Sequence, residues 1–85
     1  MKIFKYFVDM MSDPVIVMPD GADILTVSIQ NNEMVVWAKV DPSVAYFRAY
    51  QFYVVGTGFD VPKDAKYLET VQDDGSVWHI FMEIS

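Results

Sequence analysis

Met18-Pro19-Asp20-Gly21-Ala22-Asp23-Ile24-Leu25 recurs, half a chain later, as Val61-Pro62-Lys63-Asp64-Ala65-Lys66-Tyr67-Leu68. Each copy runs through a proline-led turn into an apolar-alternating stretch, then a polar turn, then a stretch rich in Val and Trp. A period of about half of the 85 residues predicts two related β-hairpin units in a single β domain spanning residues 1–85.

Outward from this echo, apolar residues recur mostly at every second position, and no segment longer than about ten residues keeps a helical period free of breakers. Val, Ile, Tyr, Phe and Trp dominate these stretches, as they do in strands. The reading predicts an all-β fold: strands over residues 3–8, 15–18, 24–30, 34–40, 46–55, 67–72 and 77–84, assembled as a small antiparallel sandwich or a partly closed barrel. Asp41-Pro42-Ser43 marks a turn, and residues 41–45 have room for one helical turn.

The first hairpin turns at Asn31-Asn32, residues that tolerate positive φ. A two-residue loop predicts the cross-strand pairs Ile29/Met34, Val27/Val36 and Leu25/Ala38 on a core face, and Ser28/Val35 and Thr26/Trp37 on a face that mixes hydroxyls with an indole. The second hairpin turns within Asp73-Asp74-Gly75-Ser76. It predicts Val71/Trp78, Glu69/Ile80 and Tyr67/Met82 on one face, and Thr70/His79 and Leu68/Phe81 on the other. Both of those faces are largely apolar, so this hairpin is expected between other elements or at the centre of an oligomer.

Composition bounds the function. Hydrophobic residues make up 53% of the chain and aromatics 15%, enough for a dense core in a small domain and for a surplus at the surface. That surplus predicts a homo-oligomer interface or a ligand pocket. Twelve acidic residues face six basic ones, a net charge of −6 that disfavours duplex nucleic acid as a partner. With no cysteine, disulfides and thiolate chemistry are excluded. The beginning, Met1-Lys2-Ile3-Phe4-Lys5-Tyr6-Phe7-Val8-Asp9, reads as a strand rather than a signal peptide, and no apolar run approaches the roughly 18 residues of a membrane span.

Chemistry-bearing residues are few. Val55-Gly56-Thr57-Gly58-Phe59-Asp60 places two glycines around a hydroxyl after a strand, and reads either as a turn or bulge or as a loop offering backbone N–H groups to a phosphate. His79 is the only histidine; opposite Thr70 it reads as a hydrogen-bonded structural residue or as a general base without a second group. Arg48, the only arginine, shares a phase with Tyr46, Tyr50 and Phe52, which reads as an exposed strand arginine or as a clamp for a planar or phosphorylated ligand. Neither a calcium loop, a zinc cluster nor a nucleophile elbow is present, so the residues predict no metal, no cofactor and no enzyme. The candidate ligand-binding set is Gly56, Thr57, Gly58, Phe59, Arg48, Tyr50, Trp37 and His79.

Five motifs also carry a resemblance. Met1-Lys2-Ile3-Phe4-Lys5-Tyr6, Met18-Pro19-x-Gly21-Ala22-x-Ile24-Leu25-x-Val27, Trp37-Ala38-x-Val40-Asp41, Val54-Val55-Gly56-Thr57-Gly58 and Thr70-Val71-Gln72 with Val77-Trp78-His79-x-Phe81 resemble a family of short, phage-encoded proteins of unknown function, over nearly the whole chain. In that family a histidine-type residue usually follows the glycine loop; here Phe59 takes its place. The resemblance implies a setting in the cytoplasm of an infected bacterium and no known activity. In that setting the composition leads to a non-enzymatic accessory protein that counteracts bacterial anti-phage defence by sequestering a nucleotide-derived immune signal. The alternatives are an acidic inhibitor that binds a host defence protein or mimics nucleic acid, and a structural phage component.

Overall fold

The structure, a computed structural model, describes residues 1–10 and 12–84. They form seven strands: β1 (Lys2–Val8), β2 (Val15–Pro19), β3 (Asp23–Gln30), β4 (Glu33–Val40), β5 (Phe47–Gly56), β6 (Lys66–Asp73) and β7 (Ser76–Ile84). Among the described residues there is no helix. Two open antiparallel sheets result, the first in the order β1-β4-β3 and the second β2-β5-β7-β6.

The sequence echo becomes a structural duplication. In each half a first strand pairs with the second strand of the following hairpin, giving β1-β4-β3 in one sheet and β5-β7-β6 in the other, with β2 added beside β5. Both halves close the same proline-led turn: the Ala22 N–H donates to the Pro19 carbonyl at 3.1 Å, and the Ala65 N–H to the Pro62 carbonyl at 3.4 Å. Both hairpins turn on two residues of positive φ, Asn31 (51°) and Asn32 (65°) in one, Asp74 (51°) and Gly75 (86°) in the other, the turn whose twist matches that of the flanking strands.

A β-bulge interrupts each hairpin at the same place, between Ile24 and Thr26 and between Tyr67 and Glu69. Pairs near the turns follow the expected register, including Val27/Val36, Thr26/Trp37, Val71/Trp78 and Thr70/His79. Beyond the bulges they do not. Ile24 rather than Leu25 opposes Ala38, and Tyr67 opposes Phe81 rather than Met82, because the extra residue reverses which side chain faces inward. Leu25 is consequently 47% exposed, while Ile24 packs on the core.

One core lies between the sheets. Val27, Met34, Val36, Ala38 and Val40 of the first sheet meet Met18, Tyr50, Phe52, Val71, Ile80 and Met82 of the second in a single cluster. Within the single chain the second hairpin does not lie wholly between other elements: β7 is central, but β6 forms an edge of its sheet, running beside the β3 edge of the other. At that seam the Glu69 carboxylate stands in for a neighbouring strand, accepting from the Val27 N–H at 3.2 Å and the Thr26 hydroxyl at 3.1 Å. Residues 41–45 form a turn rather than a helical turn, since the Asp41 side chain accepts from both the Ser43 N–H and hydroxyl.

Candidate functional site

The outer face of the first sheet carries an aromatic and cationic platform. Strand alternation presents Ile3, Lys5 and Phe7 from β1, and the antiparallel register sets Lys5 opposite Trp37 and Phe7 opposite Val35 on β4. Lys5 Nζ lies 5.4 Å from the ring centre of Phe7 and 5.4 Å from that of Trp37, within cation–π range of both. Phe7 is 61% exposed and Trp37 half-buried, so each ring keeps surface open to a planar partner. Lys39 follows on the same face, opposite Ile3, and Thr26 places a hydroxyl next to Trp37 on the other side. Trp37 was legible as a candidate; Lys5 and Phe7 were not, because only the β1–β4 pairing brings them to it.

The glycine loop is a turn. The Phe59 N–H donates to the Gly56 carbonyl at 3.1 Å, and Gly58 adopts φ 92°, the conformation that the third residue of a type II turn requires. One backbone N–H that a phosphate would need is therefore engaged within the loop. Phe59 is 76% exposed yet folds back on Gly56: a Cβ there would meet the Phe59 ring at 3.0 Å and the Trp78 ring at 3.6 Å. The groove beside it, about 420 Å³, is lined by Tyr53, Phe59 and Trp78 together with Asp13 and Asp60. Those two carboxylates, with no basic residue among the described ones that line the groove, disfavour an anion there, and the loop takes the turn form that was one of its two readings.

His79 joins a line of hydroxyls on the outer face of the second sheet. Its Nε2 is hydrogen-bonded to Thr57 Oγ1 at 2.8 Å and its Nδ1 to Thr70 Oγ1 at 3.0 Å, and Thr70 Oγ1 lies 2.7 Å from the Tyr67 hydroxyl. With both ring nitrogens held by threonines and no carboxylate among these partners, the imidazole ties the glycine turn to β6.

Arg48 and Tyr50 share a strand phase but no site. Arg48 Nε pairs with Asp20 Oδ1 at 2.6 Å, both side chains about half exposed. Tyr50 is 1% exposed; its hydroxyl donates to the Pro19 carbonyl and accepts from the Ala22 N–H, each at 3.2 Å. Phe52 is fully buried. The expected arginine–tyrosine clamp is corrected accordingly, because alternation turns Tyr50 and Phe52 into the core while Arg48 emerges past its end. The predicted residues thus fall into three places: Trp37 on the first sheet, Gly56, Thr57, Gly58, Phe59 and His79 at one end of the second, and Arg48 with Tyr50 at the other.

Two groups titrate away from their ordinary values. Hydrogen bonds from the Ser43 hydroxyl and N–H hold Asp41 below the usual carboxylate range. Burial, and secondarily the charge of the Tyr50 phenolate, pushes Tyr6 above the usual phenol value. Among the described residues no group of three His, Cys, Asp or Glu side chains converges as a metal site would require.

What these features define is a small duplicated β protein with an aromatic–lysine face. The chain belongs to a family described as a domain of unknown function, DUF7352, whose model matches residues 1–85. No curated protein and no solved structure matches it.

Proposed function

We propose that this protein is a non-enzymatic binder that holds a nucleotide-derived ligand on the outer face of its first sheet. The observation that carries the reading is Lys5 Nζ, 5.4 Å from both the Phe7 and Trp37 ring centres. A base has a π-face of its own and can stack on an exposed indole or phenyl ring, a contact of about 1–3 kcal/mol per base. On stacking it displaces the ammonium, which then pairs with the ligand's phosphate; Lys39 offers a second cation. In a chain of net charge −6, an aromatic surface carrying two lysines is the region best suited to an anionic, planar molecule.

The biological setting is part of the same proposal. Resemblance of the Met1–Tyr6, Met18–Val27 and Val77–Phe81 motifs to short phage proteins supports a phage-encoded accessory factor acting in the cytoplasm of an infected bacterium. There, sequestration of a nucleotide immune signal counteracts the defence that depends on it. Catalysis is not part of the reading, because the one histidine is hydrogen-bonded to two threonines and, among the described residues, none of its hydrogen-bond partners is a carboxylate that would complete an acid–base pair.

Native mass spectrometry of the purified protein with a panel of linear and cyclic nucleotides tests the proposal. A stoichiometric adduct with one member of the panel, lost in both Lys5→Ala and Trp37→Ala proteins that retain their strand circular dichroism, supports it. No adduct across the panel overturns it and moves the reading to a host protein target.

A further inference from the structure

The four sheet edges are not alike. β1 carries Lys2 and Lys5, while β3 and β6 are bulged and linked through Glu69. Charges and bulges of this kind keep edge strands from pairing with other chains. β2, Val15-Ile16-Val17-Met18-Pro19, has neither a charge nor a bulge, and its outer edge is the outer edge of the second sheet.

The backbone directions on β2 follow from its ladder. Phe52 N–H donates to the Pro14 carbonyl and Asp20 N–H to the Tyr46 carbonyl, each at 2.9 Å, and Ile16 and Met18 lie opposite Tyr50 and Arg48. Hydrogen-bonded pairs alternate along an antiparallel ladder, so Ile16 and Met18 face β5 while Val15 and Val17 aim their N–H and C=O groups away from it. The flanking outward positions are closed. Asp13 gives its carbonyl to Gln51 Nε2, and Pro19 has no N–H and gives its carbonyl to Ala22 and Tyr50. Within β2, what remains is one donor and one acceptor on each of two valines, on either side of Ile16.

That set is self-complementary. We infer that β2 pairs antiparallel with β2 of a second copy about a two-fold axis at Ile16, joining the two second sheets into one continuous eight-stranded sheet. Val15 exchanges both hydrogen bonds with Val17 of the second copy, and Val17 with its Val15, making four in all. Val15 and Val17, 55% and 61% exposed, then cover one another across the seam on the outer face, and the two Ile16 side chains meet on the core side. The pairing stands apart from the ligand reading, since it lies on the other sheet.

Two measurements on the full chain test it. In analytical ultracentrifugation the wild type sediments as a dimer that dissociates on dilution, Val17→Lys sediments as a monomer, and Ile3→Lys on β1 remains dimeric. In amide hydrogen exchange on the wild type, Val15 and Val17 gain protection as concentration rises, while Ile16, bonded to β5, is protected at every concentration. A wild type that stays monomeric at all concentrations, or a dimer in which Val15 and Val17 exchange freely, overturns the inference. The exchange experiment decides the matter even where Val17→Lys fails to fold.

Discussion

Thr26 and Glu69 stand 43 positions apart in the chain, each the first residue after the bulge of its own hairpin, and they are hydrogen-bonded to each other at 3.1 Å. The duplication therefore brings equivalent positions of the two halves into contact where the edges of the two sheets meet. Divergence between the copies is what makes the contact work: one half supplies a hydroxyl donor, the other a carboxylate long enough to reach the Val27 N–H as well.

Glu69→Ala is expected to destabilise the fold by about 1–3 kcal/mol, because Val27, 3% exposed, is left with its N–H unpaired in a water-poor place. Glu69→Gln keeps an acceptor oxygen and is expected to retain most of the stability. Urea denaturation of the two variants against wild type checks the order.

Tyr50→Phe removes a buried hydroxyl that links the Pro19 carbonyl to the Ala22 N–H. Both backbone groups also bond to each other, so the expected loss is moderate, about 1–2 kcal/mol. The same denaturation series reads it, with near-ultraviolet circular dichroism reporting whether the Pro19–Ala22 turn region keeps its packing.

The two glycines of the 56–59 turn are expected to respond differently. Gly58→Ala forces a Cβ into φ 92° and costs about 1 kcal/mol or more whatever space surrounds it. Gly56→Ala makes an ordinary contact with the Trp78 ring at 3.6 Å and crowds only the exposed Phe59 ring, at 3.0 Å, which swings aside, so stability changes little while Phe59 shifts. Thermal melts measure the first effect and tryptophan emission the second.

Asp41 is expected to titrate below an ordinary aspartate, and Ser43→Ala, which removes the hydroxyl and keeps the N–H, to bring it part of the way back up, as followed by carboxyl carbon shifts in NMR. A carboxyl whose folded pKa is depressed stabilises the fold above its unfolded value and loses that contribution as pH falls through the folded one. The small acid-side loss belonging to this turn is thus expected to be larger in wild type than in Ser43→Ala, which keeps the backbone N–H donor.

Much of the architecture could be read from residues alone. Alternation marked every strand, and Asn31-Asn32 and Asp74-Gly75 set the register outward from each turn. That register held only as far as Leu25 and Leu68, since a bulge leaves no signature that period-two counting detects. The candidate site was less legible for a related reason. Trp37 stood out by its residue type, but its neighbours Lys5 and Phe7 lie far away in sequence, and only the pairing of β1 with β4 reveals them. Arg48 and Tyr50 show the converse: phase was read correctly, yet phase does not say where along a strand the core ends.

The central claim, ligand capture on the Trp37 face, is tested most directly by the fluorescence of a Trp78→Phe protein, in which Trp37 is the only indole. Titration with the nucleotide panel is expected to give saturable quenching by one of its members, abolished by Lys5→Ala. Emission that stays unchanged across the whole panel, in a protein whose strand circular dichroism matches wild type, would contradict the claim.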